Sequence, residues 1–217
     1  MSLPTEPHEL IYFDFNAGRA EAIRITFKAI GMDFKDVRIK QSDFGAKKKE
    51  GMYPTGLPVL KIGDTEYTQS LAILRYAGKL GQSLKGAASK LYPDDAKLCL
   101  SIDQALDVTQ DLWFSFPQDK DEEAKKKNRQ EYMAGKGKVF FSQLDEILKR
   151  TDGPFIGGTD LSIADLSVVF GSLKVFEMGF LDHVPKTWVK DNFPALSALE
   201  KVVDEHPMVT DYYKSTA

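Results

Sequence analysis

Hydrophobic and polar positions alternate between two periods over the first eighty residues. Glu9 to Phe15 reads as a strand, while Ala22, Ile23, Ile25, Thr26, Ala29 and Ile30 give Arg19 to Ile30 a helical spacing that stops at Gly31. Phe34 to Ile39 predicts a second short strand, and the lysine-rich stretch from Ser42 to Glu50 a polar helix or loop. Pro58 stands directly before the apolar run Val59 to Ile62, where it has no N–H to give a sheet ladder. The Gly63-Asp64 connection then returns the chain through Thr65 to Thr68 as a tight hairpin, and a helix follows from Ser70 to Leu80. The order β-α-β-α-β-β-α predicts a small α/β layer domain over residues 1–81, with the hairpin as its antiparallel edge.

Beyond a Gly-, Ser- and Lys-containing linker from Gly81 to Tyr92, the strand pattern disappears. Pro93-Asp94-Asp95 opens a long helical pattern to about Phe116. A second pattern runs from Asp121 to Arg150, a third starts after Thr159 to Ser162, and a later one spans Pro194 to His206. Ser162-Ile163-Ala164-Asp165 fits a capping box, with Leu161 and Leu166 at the staple positions. Residues 92–217 therefore predict an all-α domain.

Composition narrows the class. At 217 residues, 42% hydrophobic and 28% charged, the chain has the make-up of an ordinary soluble globule, of one large domain or two small ones. A net charge of −3 argues against a nucleic-acid partner. The single cysteine, Cys99, excludes an internal disulfide and a zinc–thiolate site, and His8, His183 and His206 have no metal-ligand spacing. The start, Met1 to His8, lacks the basic and apolar regions of a signal peptide, and no apolar run nears the ~20 residues that span a bilayer. A cytoplasmic protein without a membrane partner is the expectation.

The candidate chemistry begins at Gly56 to Ser70. Pro58 leaves backbone groups of Leu57 free, and Gln69-Ser70 bring a hydroxyl to a helix N-terminus, where an anion is favoured. An extended peptide ending in a carboxylate suits both. Tyr12 closes the first strand and is either a half-buried strand aromatic or a hydroxyl donor to an anion. Asp103, Asp107 and Asp111 recur at every fourth residue and form one carboxylate stripe, which calls for a cationic neighbour or a solvated face. Gln110 interrupts any metal cluster there. Trp113 and Phe116, three apart, share a helical face, which fits either core or pocket.

Four motifs in order carry a family resemblance: Leu10-Ile11-Tyr12-Phe13 with Gly18-Arg19-Ala20-Glu21, the Leu57-Pro58 pair, Gln69-Ser70-Leu71-Ala72-Ile73, and Ser162-Ile163-Ala164-Asp165. With them the chain resembles a cytosolic glutathione transferase of the tyrosine type, most similar to the sigma class, over nearly its whole length. The resemblance implies a thioredoxin-like glutathione-binding domain followed by an all-helical domain holding the electrophile pocket. It also implies a homodimer, and glutathione as co-substrate without a further cofactor or metal.

Carried over by position, the resemblance makes Tyr12 the donor to the glutathione thiolate. It assigns the γ-glutamyl end to Gln69 and Ser70, the cysteinyl backbone to Leu57 beside a cis Pro58, and the glycyl end to Phe44 and Lys48, with Lys47 and Lys49 as alternatives. Arg19 is a second cation, or a tie between the first helix and neighbouring carboxylates. Asp111 reaches toward the ligand amine in the partner's site, and Arg75 meets Asp103 or Asp107 across the dimer axis. Phe15, Trp113 and Phe116 wall the electrophile pocket. The implied activity is detoxifying conjugation of the thiolate to hydrophobic electrophiles. Gln118 stands where a sigma-class prostaglandin isomerase shows an aromatic residue. The alternative is a non-catalytic carrier or crystallin-like protein on the same fold.

One spacing departs from the family. Arg19 follows Tyr12 by seven residues, one more than usual, so an ungapped register puts Phe13 in the catalytic place. An insertion within Asp14 to Ala17 is the preferred reading, since loops tolerate extra residues whereas a strand slip reverses every side chain. Asn16 and the Ser2 hydroxyl remain as substitutes.

Overall fold

Strand β1 (His8–Phe13) runs through the middle of a four-stranded sheet of order β2-β1-β3-β4. The computed structural model describes residues 4–84 and 86–216. β1 pairs in parallel with β2 (Lys35–Ile39) and antiparallel with β3 (Val59–Ile62), and β4 (Thr65–Tyr67) closes the edge. The strand alternation is visible in β1. Leu10 and Tyr12 enter the core shared with α1 (Glu21–Ala29) and α3 (Ser70–Gln82), whereas Ile11 turns to the other face with Ile39, Val59 and Tyr53. α2 (Gln41–Lys49) is a helix without a buried residue, so the polar stretch resolves as helix rather than loop. The β-α-β-α-β-β-α order stands as the sequence predicts, and with the helices that follow it is the thioredoxin-like domain plus helical domain of the expected fold.

The first strand ends two residues earlier than the apolar pattern suggests. Asp14 donates its N–H to Ile39 O at 3.0 Å, but Phe15 N–H turns back to Phe13 O, and the chain leaves the sheet as a loop. That loop spans the stretch between Tyr12 and Arg19.

In the helical part, α4 (Ala96–Phe114) is capped by Asp95, whose carboxylate accepts Leu98 N–H at 2.8 Å. The pattern from Asp121 to Arg150 is two helices, α5 (Glu122–Ala134) and α6 (Lys136–Lys149), because Gly135 at φ −109, ψ −106 breaks the run. α7 (Ile163–Val168) starts at the predicted capping box, passes into a π-helical turn (Val169–Leu173) and continues as α8 (Lys174–Glu177). α9 (Trp188–Asn192), α10 (Pro194–Asp204) and α11 (Pro207–Thr216) complete the chain. Tyr213 of α11 donates to Glu21 of α1 at 2.9 Å, so the last helix is fastened to the first domain. Among the described residues no helix is long and apolar enough to cross a membrane.

Candidate functional site

Tyr12 is 6% exposed and points from the helix-covered face of the sheet into the junction of the two domains. Its Oη accepts the backbone N–H of Arg19 at 3.2 Å, and no acceptor for its own proton occurs among the described residues. A phenol has one proton and two lone pairs, so this arrangement leaves the proton free to be donated. Burial pushes the Tyr12 phenol above its usual value near 10, opposed by the Arg19 N–H and by the charges of Arg19 and Arg24. The group therefore stays a hydroxyl throughout the neutral range. Phe13 packs 5.2 Å from the Tyr12 ring and meets Phe44 edge-on at 5.2 Å, and it has no hydroxyl to offer. It is Tyr12, not Phe13, that meets the Arg19 backbone.

The loop from Asp14 to Gly18 is held from three sides. Arg24, wholly buried, donates to Phe13 O at 3.3 Å and Phe15 O at 3.2 Å while pairing with Glu21 at 2.9 Å and Asp36 at 3.0 Å. Arg38 reaches Asn16 Oδ1 at 2.9 Å, which occupies the side chain kept open as a substitute for Tyr12; Ser2 lies outside the described residues. From the helical part, Phe170 O in the π-helical turn accepts Gly18 N–H at 2.8 Å. Gly18 has φ +76, and a Cβ there would come within 2.8 Å of Tyr12 Oη, so only glycine lets the loop close over the hydroxyl.

On the opposite wall, the Leu57–Pro58 peptide is cis. Leu57 lies just outside the β1–β3 ladder, whose last pair is Ile11 with Val59. Ser70 is the first helical residue of α3, not its cap; Gln69 takes the cap position at φ +72, a backbone region unfavourable for a side-chain-bearing residue. The expected chemistry holds at this position, because N–H groups in the first turn of a helix have no partner within it. Ser70 is 5% exposed and lines one narrow cleft with Arg19, Gln110 and Trp113. Gln69 is exposed. Phe44 is half-buried on α2, and Lys47, Lys48 and Lys49 fill the last turn of that helix without an ion pair among the described residues.

Helix α4 supplies the third wall. Arg19 Nη1 donates to Gln110 Oε1 at 3.3 Å, so the tie to a carboxylate is replaced by one to an amide. Asp111, the next residue, is exposed. Trp113 is half-buried and donates its indole N–H to Gly171 O at 2.9 Å. Phe116, expected in the pocket wall, is buried, with its ring centroid 5.7 Å from that of Trp113. The helix ends at Phe114, and Phe116 turns into the core beneath Tyr132, with the Arg129 guanidinium 5.0 Å above its ring. Phe15 stays half-buried, 5.7 Å from the Tyr12 ring and 5.8 Å from Phe180. Arg75 also departs from expectation. It pairs within its own chain, with Asp103 at 2.6 Å and Asp107 at 2.8 Å, so these ion pairs tie α3 to α4.

Gln110, Arg24, Phe170 and Phe180 are the contacts that sequence reasoning missed. Arg24 had a signal, since Glu21 and Arg24 form an i,i+3 pair among the apolar positions of the first turns of α1. Phe170 contributes only its carbonyl, which no side-chain pattern can show.

The comparisons with known proteins fit this geometry. The family models described as the glutathione S-transferase N-terminal and C-terminal domains match residues 8–79 and 107–216. The 28 kDa class-mu glutathione S-transferase isozyme of Schistosoma mansoni is 34% identical over 167 residues, covering 74% of this chain and 75% of that protein. Hematopoietic prostaglandin D synthase of Mus musculus is 30% identical over 199 residues, covering 88% and 94%. The structure of rat hPGDS complexed with a quinoline superposes with a TM-score of 0.76 over 96% of both chains at 22% identity, a likeness of fold. The chain belongs to the glutathione S-transferase family.

Proposed function

We propose that the protein is a tyrosine-type, sigma-like glutathione transferase in which Tyr12 donates its hydrogen bond to the thiolate of bound glutathione. The observation that carries the reading is the Tyr12 hydroxyl. It is buried, it accepts Arg19 N–H, and its proton has no acceptor among the described residues. A free thiol has a pKa of about 8.5 and is mostly protonated at neutral pH. A donor aimed at the sulfur favours the charged form. A charge-assisted hydrogen bond of ~1.5–3 kcal/mol corresponds to about one to two pKa units. The thiolate then attacks a hydrophobic electrophile held nearby, and the protein's contribution is thiolate stabilisation and proximity.

In this reading residues 1–81 bind glutathione. Ser70 and Gln69 take the γ-glutamyl carboxylate at the start of α3, Leu57 pairs its backbone with the cysteinyl unit as an added strand would, and Lys48 beside Phe44 meets the glycyl carboxylate. Residues 92–217 supply the electrophile side, with Trp113 opposite Phe15 and, in place of Phe116, Phe180. Two copies pair. The outer face of α4 supports this, for it exposes Leu100, Asp107, Asp111 and Phe114 in one line, with Phe114 84% accessible. An apolar hollow of about 270 Å³ lined by Leu60, Tyr67, Ala72, Ile73 and Tyr76 opens between β4 and α3. Asp111 from one copy would reach the ligand amine in the other.

Conjugation of glutathione to chlorodinitrobenzene, run beside calorimetric binding of glutathione, tests the proposal. Turnover that saturates with glutathione is expected. Binding without turnover would instead identify a carrier.

A further inference from the structure

The segment 178–187 between α8 and α9 is fastened along its whole length. Lys190 Nζ meets Glu177 at 2.5 Å and closes its base. Arg129 on α5, itself buried, donates to Asp182 O at 3.0 Å and to Pro117 O at 3.3 Å, so one guanidinium joins the segment to the chain just past α4. Lys125 lies 3.6 Å from the Asp182 carboxylate, and His183 Nε2 meets Glu122 Oε1 at 2.7 Å. His183 stands at φ +63, a region that a side-chain-bearing residue keeps only where its surroundings hold it. Leu181 and Val184 are buried beneath the segment, while Phe180 among these ties is left 55% exposed. The Phe180 ring stands edge-on to Phe15 at 5.8 Å, and Phe15 stands 5.7 Å from the Tyr12 ring. Three rings thus lead outward from the Tyr12 hydroxyl, and the last of them is open to solvent.

We infer that Arg129 is a positioning residue that holds the 178–187 segment as a strap, so that Phe180 offers its ring to an aromatic electrophile and sets specificity for that class. The inference rests on the proposed function and narrows its hydrophobic electrophile to an aromatic one. A ring held in place gains a stacking or edge-on contact with a flat π-system that an alkyl chain of equal apolar area does not make. A loose strap would lose part of that gain to ordering the ring when the electrophile binds. Arg129 touches no substrate in this scheme. It acts through the Asp182 carbonyl, two residues from Phe180.

The test is steady-state kinetics at saturating glutathione with chlorodinitrobenzene and with nonenal, an unbranched aliphatic enal, for the wild type, Phe180→Ala, Phe180→Tyr, Arg129→Met and His183→Gly. Phe180→Ala is expected to raise KM for chlorodinitrobenzene by about three- to tenfold and KM for nonenal by less than about twofold, with KM for glutathione unaltered. Phe180→Tyr keeps the ring and restores the wild-type value. Arg129→Met removes the tie to Asp182 and is expected to give the same aromatic-selective rise. His183→Gly does so from the exposed side, by removing the Glu122 pair and freeing the backbone at φ +63, and it decides the matter if Arg129→Met does not fold. Equal rises for both electrophiles in Phe180→Ala overturn the aromatic specificity. Wild-type kinetics in His183→Gly beside a rise in Phe180→Ala overturn the positioning by the strap. Glutathione binding by the wild type without turnover of either electrophile overturns the proposed function, and this inference with it.

Discussion

Arg19 and Arg24 flank the start of one helix, five residues apart, and their surroundings are opposite. Arg24 is wholly buried, with Glu21, Asp36 and two loop carbonyls matched to its donors, and Tyr213 closes the far side of Glu21. Arg19 is half-buried and has one neutral partner. Removing a guanidinium from water is tolerated in a fold when its donors and charge are answered. The closed set around Arg24 therefore belongs to the architecture. The open set around Arg19 lies beside a phenol whose proton has no acceptor among the described residues, and it is the set to which the proposed function assigns a ligand. Closed charges set stability, and open ones set chemistry.

The sharpest way to break this contrast is to remove each cation in turn. Arg24→Met leaves Glu21 buried without its ion pair and two loop carbonyls without donors, so urea denaturation should show a loss of about 3–5 kcal/mol. Arg19→Met should stay within about 1 kcal/mol of the wild type in stability, the scale of a single weak hydrogen bond, and should lose activity instead. Comparable stability losses in both would erase the distinction.

Asp165 extends the comparison to a closed anion. It is wholly buried and accepts Ile156 N–H at 2.6 Å, Ser162 N–H at 2.8 Å and the Ser162 hydroxyl at 2.7 Å, tying the 153–158 connection to the start of α7. Burial nonetheless raises its pKa from 3.8 to about 6. The folded state then holds the proton after the unfolded chain has released it. Stability falls as pH rises between about 4 and about 6, by up to about 3 kcal/mol, and is level above that. Asp165→Asn should abolish this slope in denaturant midpoints measured across the window. A slope of the same size in the variant would assign the titration elsewhere.

The smallest of these effects lies at the open site. Ser70→Ala should weaken glutathione binding by about tenfold, or about 1.4 kcal/mol, while the melting temperature barely moves. Calorimetry with unaltered affinity would take the Ser70 hydroxyl out of the site.

Much of the closed architecture was legible in the sequence, because apolar periodicity reports what is buried. The hairpin after Pro58, the helix from Ser70 and the capping box at Ser162 all fall where the pattern puts them. The π-helical turn was not legible. From Ile163 to Leu173 every residue is buried, so no period distinguishes one helical form from another. Nor was α11, in which Val209 and Tyr212 are the only buried positions. At the site, Tyr12, Leu57 and Ser70 were legible as motif residues. The partners that orient them were not. Gln110 is a polar residue in a helix of mixed character, and Phe170 acts through its backbone. Phe116 lies past the helix end at Phe114 yet still packs on Trp113, so the spacing reported a core contact, one of the two readings it allowed.

The Tyr12 hydroxyl remains the centre of the account, and its seven-residue spacing from Arg19 is what put it in question. Titration of the bound thiol in wild type and Tyr12→Phe addresses it most directly. The account predicts a wild-type pKa below that of free glutathione and a rise of about one to two units in Tyr12→Phe, with glutathione affinity kept within a few-fold. Superimposable titration curves for the two proteins would contradict it.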